Sequence, residues 1–419
     1  MRARLQGSLT PLATSVVAVG ASVSCAALLH SASTRADAAW VLPIVVAWGI
    51  APIVATRAAP EPSIGWLILV ALAVRLPLVG TPPLLSDDLF RYLFEGAALN
   101  AGHNPFLESP AQLVGIDDAL RVQVNHPEVT TVYPPLALLW FRFVALLGGP
   151  TGVQLCTALV DVAVPVALVI ATRKSWTGWV YALHPLPALE AASGAHIDVP
   201  AVALAIIGVA AWRRGHLGAG FVAVAGGALV KLLPAVIGPV LLRRLGWRSG
   251  SAWVAVAAGV AVLLAWPVLD AGPHLLTGIG NYAGSWSFNG LLHPWLAPML
   301  GDGARPVLVA AGLGVALWAL RHPDPGRAWA SVGAGFVLLS PTVHPWYVLW
   351  AMVPALACGR AGWAIAAIPL MMSYSVLWTL DPVTGAWAEA PWLWWVTWPA
   401  AIAALAYDEG RSEWSATAP

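Results

Sequence analysis

Apolar stretches of membrane length recur along the whole chain, and no other feature restricts its fold as strongly. Three of them, near 9–31, 39–56 and 63–80, precede residue 81. About 20 consecutive apolar residues let an α-helix cross the hydrocarbon core of a bilayer. Helices are expected because a segment in lipid must satisfy its backbone hydrogen bonds internally. The sequence therefore predicts an all-α polytopic membrane protein.

The rest of the chain repeats this pattern around two polar segments, an insert at 81–131 and a loop at 270–290. The other apolar segments lie near 133–148, 151–171, 176–192, 197–212, 217–243 (with a break at Pro234), 251–269, 304–320, 328–342, 344–358, 361–379 and 391–407. We expect a single integral membrane domain over 1–419, with roughly 11–14 transmembrane helices. It divides into the insert, core helices over 133–245 and C-terminal helices over 246–419.

Composition and charge exclude several other classes of protein. Apolar residues make up 59% of the chain and charged residues 10%, against roughly 25% charged in soluble domains. The net charge of +1 gives no indication of a nucleic-acid partner. The three cysteines lie inside apolar segments, so neither a disulfide framework nor a zinc site is indicated. Only two lysines occur, Lys174 and Lys231, which makes the position of each informative.

Basic residues predict an orientation, because cytoplasmic loops carry an excess of Lys and Arg. Arg2 and Arg4 place the N-terminus inside, so the insert 81–131 lies outside after three crossings. Further arginines predict inner loops, namely Arg213, Arg214, Arg243, Arg244, Arg248, Arg321, Arg327, Arg360 and Arg411. Five simple crossings between 133 and 212 do not fit these charges, so one pair of segments there is not expected to cross fully. We expect a multi-pass protein of the cell membrane whose site faces outside.

The insert opens with a predicted helix that carries two adjacent acids. Ser86 is a good N-cap, and the helix dipole favours ionised carboxylates in the first turn, at Asp87 and Asp88. Two faces follow at helical spacing, an apolar one with Phe90, Leu93, Phe94 and Ala97 and a charged one with Asp87, Arg91 and Glu95. Such a helix would lie in the interface plane with its apolar side in lipid. The alternative is a connecting helix whose acids only cap it.

A second unusual stretch, 184–200, combines three prolines with Glu190, His196 and Asp198. Irregular backbone at membrane depth is tolerated only where it lines a cavity. We therefore expect a broken or re-entrant element that opens onto the outer side. Asp161, by contrast, lies in the middle of a span without an outer partner and is interpreted as a helix–helix hydrogen-bonding residue.

Titratable groups gather on the predicted outer side, and such groups inside membrane segments usually indicate function. They are Asp87, Asp88, Arg91, His103, His126, Glu190, His196, Asp198, Lys231 and His344. We expect the groups at 87–92, 194–198 and 231 to line one cavity, although up to 144 positions separate them. Paired acids with a lysine and histidines fit a phosphate-bearing substrate. Lys231 could instead snorkel to the surface, and His344 could be an interface residue.

Short motifs between residues 80 and 245 resemble a known family. An acidic pair, an Arg-Tyr pair, a Gly-x-Asn-Pro-aromatic turn and a Tyr-Pro-Pro-Leu helix start occur in order at Asp87/Asp88, Arg91/Tyr92, Gly102–Phe106 and Tyr133–Leu136. GAHID at Gly194–Asp198 and Lys231-Leu-Leu-Pro follow. Together they resemble the GT-C superfamily, and more narrowly bacterial polyprenyl-phosphate-sugar-dependent glycosyltransferases, including actinobacterial mannosyltransferases. The C-terminal half resembles the family only as a run of helices.

The resemblance implies a GT-C-like bundle that transfers a hexose, with mannose expected, from a polyprenyl-phosphate sugar to an extracytoplasmic glycan or lipid-linked acceptor. The reaction would be one inverting displacement with Asp88 or Asp87 as general base. Lys231 and Arg91 would stabilise the leaving phosphate. Substrate binding would fall to Arg91, Tyr92, His126, Tyr133, Glu190, His196, Asp198, Lys231 and His344. No cofactor is expected, because a phosphate monoester leaves; a metal held by the acid pair is an alternative.

Two questions stay open at this point. Asp87 shares a face with Arg91 and Glu95, which predicts an ion pair, whereas Asp88 shares a face with Tyr92; the motif does not say which acid is the base. A transporter or a flippase of lipid-linked saccharides would also place ionisable residues in a helical bundle. The outer-sided polar groups and the lack of an internal repeat argue against a transporter.

Overall fold

The chain is helical along nearly its whole length in the computed structural model, which describes residues 2–278, 280, 284, 286–381, 384 and 390–417. The α-helices are α1 (Arg2–Ser31), α2 (Arg35–Ala38), α3 (Leu42–Trp48), α4 (Ile50–Ala58), α5 (Ile64–Arg75), α6 (Asp88–Asn100), α7 (Asp118–Arg121), α8 (Pro135–Val144), α9 (Pro150–Asp161), α10 (Ala163–Thr172), α11 (Ser175–Leu183), α12 (Pro185–Ala192), α13 (Asp198–Arg213), α14 (Leu217–Val230), α15 (Gly238–Ala265), α16 (His293–Leu300), α17 (Ala304–Ala319), α18 (Pro325–Leu339), α19 (Leu349–Ala357), α20 (Gly362–Met371) and α21 (Pro391–Thr417). Within these residues β-type pairing is limited to isolated bridges from Phe288 and Asn289 to Thr342.

Six helical segments among the described residues are long and apolar enough to cross a membrane. They are Pro11–Ser31, Arg35–Ala58, Pro150–Thr172, Leu233–Leu275, His293–Ala319 and Gly362–Thr379. Shorter apolar helices of 10–17 residues are Ile64–Leu78, Pro135–Leu147, Leu217–Val230 and Pro345–Ala357. The prediction of an all-α polytopic membrane protein is confirmed. The larger number of spans and their orientation stay predictions.

Prolines interrupt the helices where the sequence predicted breaks. Pro185 begins α12, with His184 as its N-cap, and residues 193–197 separate α12 from α13. Every residue from 181 to 200 is buried, so the predicted broken element lies inside the bundle. The predicted apolar segment 217–243 breaks after Val230, where Lys231 is extended, and a short 3-10 helix, Leu233–Ile237, follows. Proline lacks a backbone donor and clashes with the preceding turn, which explains the breaks at Pro185 and Pro234.

Helix α6 forms where predicted, but its N-cap is Asp87 and not Ser86, and its surroundings differ from the expectation. It begins at Asp88 with Asp87 as N-cap, and Ser86 accepts a hydrogen bond from the Asp88 amide at 3.3 Å. The prediction that its apolar side faces lipid is wrong, because Leu93 and Phe94 are buried against other parts of the protein. Residues after α6 fold back over it and cover the side that the periodicity assigned to lipid.

A buried ion pair joins three helices of the core. Arg75 at the end of α5 donates to Asp161 at the end of α9 over 2.6 Å, and both side chains are fully buried. The Tyr181 hydroxyl donates to the same carboxylate, and Arg75 also donates to the Ala182 carbonyl. Asp161 is thus a helix–helix hydrogen-bonding residue, as predicted, and Arg75 is its partner.

Helix α13 connects two ends of the bundle that differ in character. Its first residue, Asp198, contacts Lys231, and its last residue, Arg213, contacts Asp324. At 1.5 Å per residue these helix ends lie about 22 Å apart. Residues predicted to be outer and residues predicted to be inner therefore lie at opposite ends of one buried helix.

Candidate functional site

The adjacent acids at the start of α6 have different partners. One oxygen of Asp87 accepts from Arg35 at 2.7 Å and the other from Asn125 at 2.9 Å. The Asn125 side-chain amide also donates to Asp88 at 2.7 Å, whereas the second Asp88 oxygen lies 3.9 Å from Nε2 of His196. The predicted ion pair of Asp87 with Arg91 is wrong, because Arg35 takes that position. Asp88 thus keeps one oxygen directed towards the broken element.

The hydrogen bonds of Arg91 hold the loop that contains Asn125. Its guanidinium donates to the Asn125 side-chain oxygen at 3.2 Å and to the backbone oxygens of Asn125, His126 and Val129 at 2.5, 2.6 and 3.2 Å. It also pairs with Glu95 at 3.1 Å, and only 5% of Arg91 is exposed. The structure therefore places Arg91 as a support for Asn125 and gives it no free face for a phosphate.

Glu95 completes this support beneath α6. Its carboxylate accepts from Thr131 at 2.7 Å as well as from Arg91. Burial raises the pKa of the Glu95 carboxyl, and the nearby Arg91 and Thr131 offset only part of that rise. Glu95 is 1% exposed and has no access to a substrate.

His196 connects the acid pair to the interior of the bundle. Its Nδ1 lies 2.8 Å from Glu190, and the Tyr374 hydroxyl donates to both oxygens of that carboxylate at 2.9 and 3.0 Å. Among the described residues neither ring nitrogen of His196 has a well-aligned hydrogen-bond partner, although the ring is fully buried. The Nε2 side faces Asp88 at 3.9 Å. Nδ1 is nevertheless at hydrogen-bond distance from Glu190, so Nε2 is the ring nitrogen whose lack of a partner calls for an explanation.

The GAHID turn explains how His196 reaches this position. A Cβ on Gly194 would lie 2.6 Å from the His196 ring, so only glycine fits there. Ala195 adopts a φ of +52°, a left-handed conformation that is unfavourable for a residue with a Cβ. Such local strain persists where the surrounding structure enforces it, often at functional sites. The turn directs His196 inward and places Asp198 at the start of α13.

Lys231 lies within the site and does not reach out to the surface. Its ammonium donates to both oxygens of Asp198 at 2.7 Å, and it lies 4.5 Å from the centre of the Tyr347 ring. The Trp350 indole donates to one of these Asp198 oxygens at 2.6 Å and is a second donor to the carboxylate. Asp198 is 1% exposed, whereas 26% of the Lys231 side chain is accessible. The ammonium is therefore held by Asp198, while about a quarter of the lysine side chain stays accessible.

Stacked rings form one wall beside these charges. His196 stacks on Trp346 with ring centres 3.8 Å apart, and Trp346 stacks on His344 at 4.4 Å. Phe288 covers the other face of His344 at 4.8 Å. His344 is thus part of the wall behind His196 rather than a separate interface residue.

The structure brings together most, but not all, of the predicted site residues. The cluster contains Asp87, Asp88, Glu190, His196, Asp198, Lys231 and His344. Tyr347 links Lys231 to Trp346, on which His196 stacks. Tyr92 and Tyr133 pack on each other and on Phe141 beneath it, and Tyr92 is 1% exposed. His126 is half-exposed at the rim, near Glu128 and Trp286. His103 pairs with Glu108 outside the cluster.

Several residues of the described site were not predicted from the sequence, among them Arg35, Asn125, Trp346, Trp350 and Tyr374. One indication of Asn125 was present in the sequence, because it directly precedes His126, which was among the predicted site residues. Trp350 and Tyr374 lie in apolar segments where a buried donor cannot be told from a membrane-facing aromatic residue.

The fold and the cluster define a polytopic membrane protein with paired acids, a lysine and an inward-facing histidine at one end of its bundle. A family model described as Alpha-(1->6)-mannopyranosyltransferase, N-terminal domain, matches residues 5–246, more than half of the chain. The chain belongs to this family, which confirms the narrower resemblance to actinobacterial mannosyltransferases. The match includes the acid pair, GAHID and Lys231, and it ends before Trp346, Trp350 and Tyr374.

Individual relatives agree with the family match. Alpha-(1->6)-mannopyranosyltransferase A of Mycobacterium tuberculosis is 25% identical over 346 residues, covering 70% of this chain and 65% of that protein. Alpha-(1->6)-mannopyranosyltransferase B of Corynebacterium glutamicum is 24% identical over 360 residues, covering 69% and 57%. A probable alpha-(1->6)-mannopyranosyltransferase of Mycolicibacterium smegmatis is 26% identical over 376 residues, covering 71% and 66%. The chain thus spans less than two thirds of the length of each of these relatives. No solved structure gives a significant match.

Proposed function

We propose that this protein transfers mannose from a polyprenyl-phosphate mannose donor to a glycan or lipid-linked acceptor at the outer face of the cell membrane. The observation that carries the proposal is one Asp88 oxygen that faces His196, in the same cluster as Lys231, and accepts no hydrogen bond from the described residues. A base and cationic groups on facing elements are what displacement of a phosphate by a hydroxyl needs. The family and its relatives supply the choice of mannose.

Asp88 is the general base in this proposal. The acceptor hydroxyl gives its proton to the free Asp88 oxygen as its own oxygen bonds to the anomeric carbon. Both oxygens of Asp87 accept hydrogen bonds, one from Arg35 and one from Asn125. In this proposal Asp87 keeps Asp88 in position. Because a single displacement inverts the anomeric carbon, an alpha product requires a beta-linked donor.

The leaving phosphate interacts with Lys231 and His196 in this proposal. As the glycosidic carbon–oxygen bond breaks, its electron pair remains on the phosphate oxygen, where negative charge develops. Lys231 has an accessible side beyond Asp198 and Tyr347, and His196 directs Nε2 into the same region. Pre-positioned cations at the point of developing charge are among the largest contributions to catalysis.

The test uses membranes that contain the chain and a radiolabelled polyprenyl-phosphate mannose. A short alpha-(1->6)-linked mannoside is offered as acceptor, and GDP-mannose replaces the lipid donor in a parallel reaction. We expect an acceptor lengthened by one alpha-linked mannose from the lipid donor and none from the nucleotide donor. Label that crosses the membrane without forming a new glycosidic bond would indicate a flippase and contradict the proposal.

The bridge from Asn125 to the acid pair predicts a measurable loss of activity. Asn125→Ala removes the donor that both carboxylates share, and a hydrogen bond to a charged group contributes roughly 1.5–3 kcal/mol. We expect the transfer rate to fall roughly 10- to 100-fold with a small change in donor KM. Gln123→Ala, an exposed change on the same loop, is the matched control. Equal rates for Asn125→Ala and the unaltered protein would remove Asn125 from the site.

A further inference from the structure

A groove rich in positive charge lies at the end of the bundle opposite the acid site. It has a volume of about 330 Å³, and its charged lining consists of Lys174, Arg213, Asp324 and Arg327. We call it the basic groove. Three cationic side chains face one carboxylate there, an excess of two positive charges. The groove lies at the Arg213 end of α13, about 22 Å from Asp198.

The cations of the basic groove differ in how they are held. Arg213 donates to both Asp324 oxygens at 2.9 and 2.7 Å and to the Ala357 carbonyl at 2.6 Å. These hydrogen bonds join the end of α13 to the start of α18 and the end of α19. Lys174 and Arg327 are exposed, and their side chains form no ion pair or hydrogen bond within the described part of the chain. Two cations are therefore free to bind an anion above a fixed arginine.

A second groove, almost entirely apolar, leads up to the first. It has a volume of about 400 Å³ between α5, α10 and α13, and its lining includes Ile68, Ala163, Val166, Ala167, Ile170 and Ile207. We call it the apolar groove. Its α10 residues recur at helical spacing over about 10 Å. Lys174 follows four positions after Ile170, and Arg214 donates to the Ile170 carbonyl at 3.2 and 3.1 Å. The apolar groove thus ends where the positive charge begins.

We propose that the two grooves together bind one anionic phospholipid from the leaflet opposite the acid site. The lipid phosphate contacts Lys174 and Arg327, and an acyl chain lies along α10. A soluble anion would gain nothing from the apolar groove, and a zwitterionic headgroup would bring its own cation towards two existing ones. Basic pockets beside membrane helices are a known type of site for anionic headgroups.

The experiment measures lipid retained by the full chain in detergent, using native mass spectrometry. Phosphatidylglycerol, phosphatidylcholine with the same acyl chains, and inorganic phosphate are titrated separately. We expect one tightly retained phosphatidylglycerol per chain and weaker binding of the other two. Lys174→Gln with Arg327→Gln should weaken phosphatidylglycerol binding roughly 25-fold, about 5-fold for each charge.

Two further variants test the parts of the site separately. Ala163→Trp fills the apolar groove while leaving every cation in place, and it should lower phosphatidylglycerol retention without changing the weak binding of phosphate. Arg248→Gln removes an exposed arginine that lines neither groove and should change nothing. If the double variant does not fold, phosphatidylglycerol binding is measured for Arg327→Gln alone, for which we expect about 5-fold weaker binding.

Each alternative outcome overturns the proposal. Equal retention of phosphatidylglycerol and phosphatidylcholine would mean that the positive charges select no headgroup. Inorganic phosphate bound as tightly as phosphatidylglycerol would indicate a site for a soluble anion. Equal losses in Arg248→Gln and in the double variant would mean that net charge alone attracts the lipid.

Discussion

Replacing Asp88 with Asn should lower the rate of mannose transfer by roughly 10²–10⁴ while donor binding changes little. Asparagine keeps the size of the side chain and can still accept from Asn125, but it cannot accept the acceptor's proton. The measurement is kcat and KM for the lipid donor in reconstituted membranes. A rate effect without a KM effect is expected for a group that acts in the transition state.

Asp87→Asn is the matched comparison, one position away on the same helix. Asp87 is occupied by Arg35 and Asn125, so its loss should act through the position of Asp88 and cost roughly 10-fold or less. Near-normal rates in both Asn variants would rule out a base in the first insert. A larger loss in Asp87→Asn than in Asp88→Asn would exchange the two roles.

Replacing Lys231 with Met should lower transfer by roughly 10²–10³, the usual effect of removing one contact to a developing negative charge. Methionine keeps much of the apolar stem but removes the ammonium that contacts Asp198 and Tyr347. Lys231→Arg should restore activity only in part, because the guanidinium has a different shape and donor geometry. The measurement is the transfer rate at saturating donor.

Lys231→Met alone also leaves the buried Asp198 without its cation, so a second variant separates the two effects. Asp198→Asn with Lys231→Met has neither charge, and Asp198→Asn alone keeps the lysine. If Lys231 stabilises the leaving phosphate, the double variant stays as slow as Lys231→Met while Asp198→Asn retains more activity. Recovery of near-normal transfer in the double variant would assign Lys231 a purely structural role.

Helix breaks were easier to predict from the sequence than contacts between side chains. Pro185 and Pro234 act locally, through a missing amide and a steric clash, so their effect is visible in the sequence. The positions of His196 and Lys231 follow from those breaks. Their convergence could be expected from the cost of leaving charges in lipid.

Contacts between segments that are far apart in the sequence could not be predicted from local patterns. Periodicity showed that α6 has an apolar face, but it could not tell lipid from protein, so the lipid-facing prediction failed. Arg91 was predicted to bind phosphate because its actual partners could not be recognised in the sequence. They lie more than 30 positions away, in a loop without a regular pattern. Arg35, at the start of a membrane segment, gave no sign that it would meet Asp87.

The boundary of the family match has a consequence for how this protein can be divided. A fragment ending at residue 246 would contain the acid pair, His196 and Lys231. It would lack Trp350, the donor that holds Asp198, and Tyr374, the donor that holds Glu190. Each of these buried carboxylates would therefore lose one of the donors that it has in the full chain. The acidic residues of the first half and the donors of the later helices therefore form one cluster, of which the first half alone would lack a part.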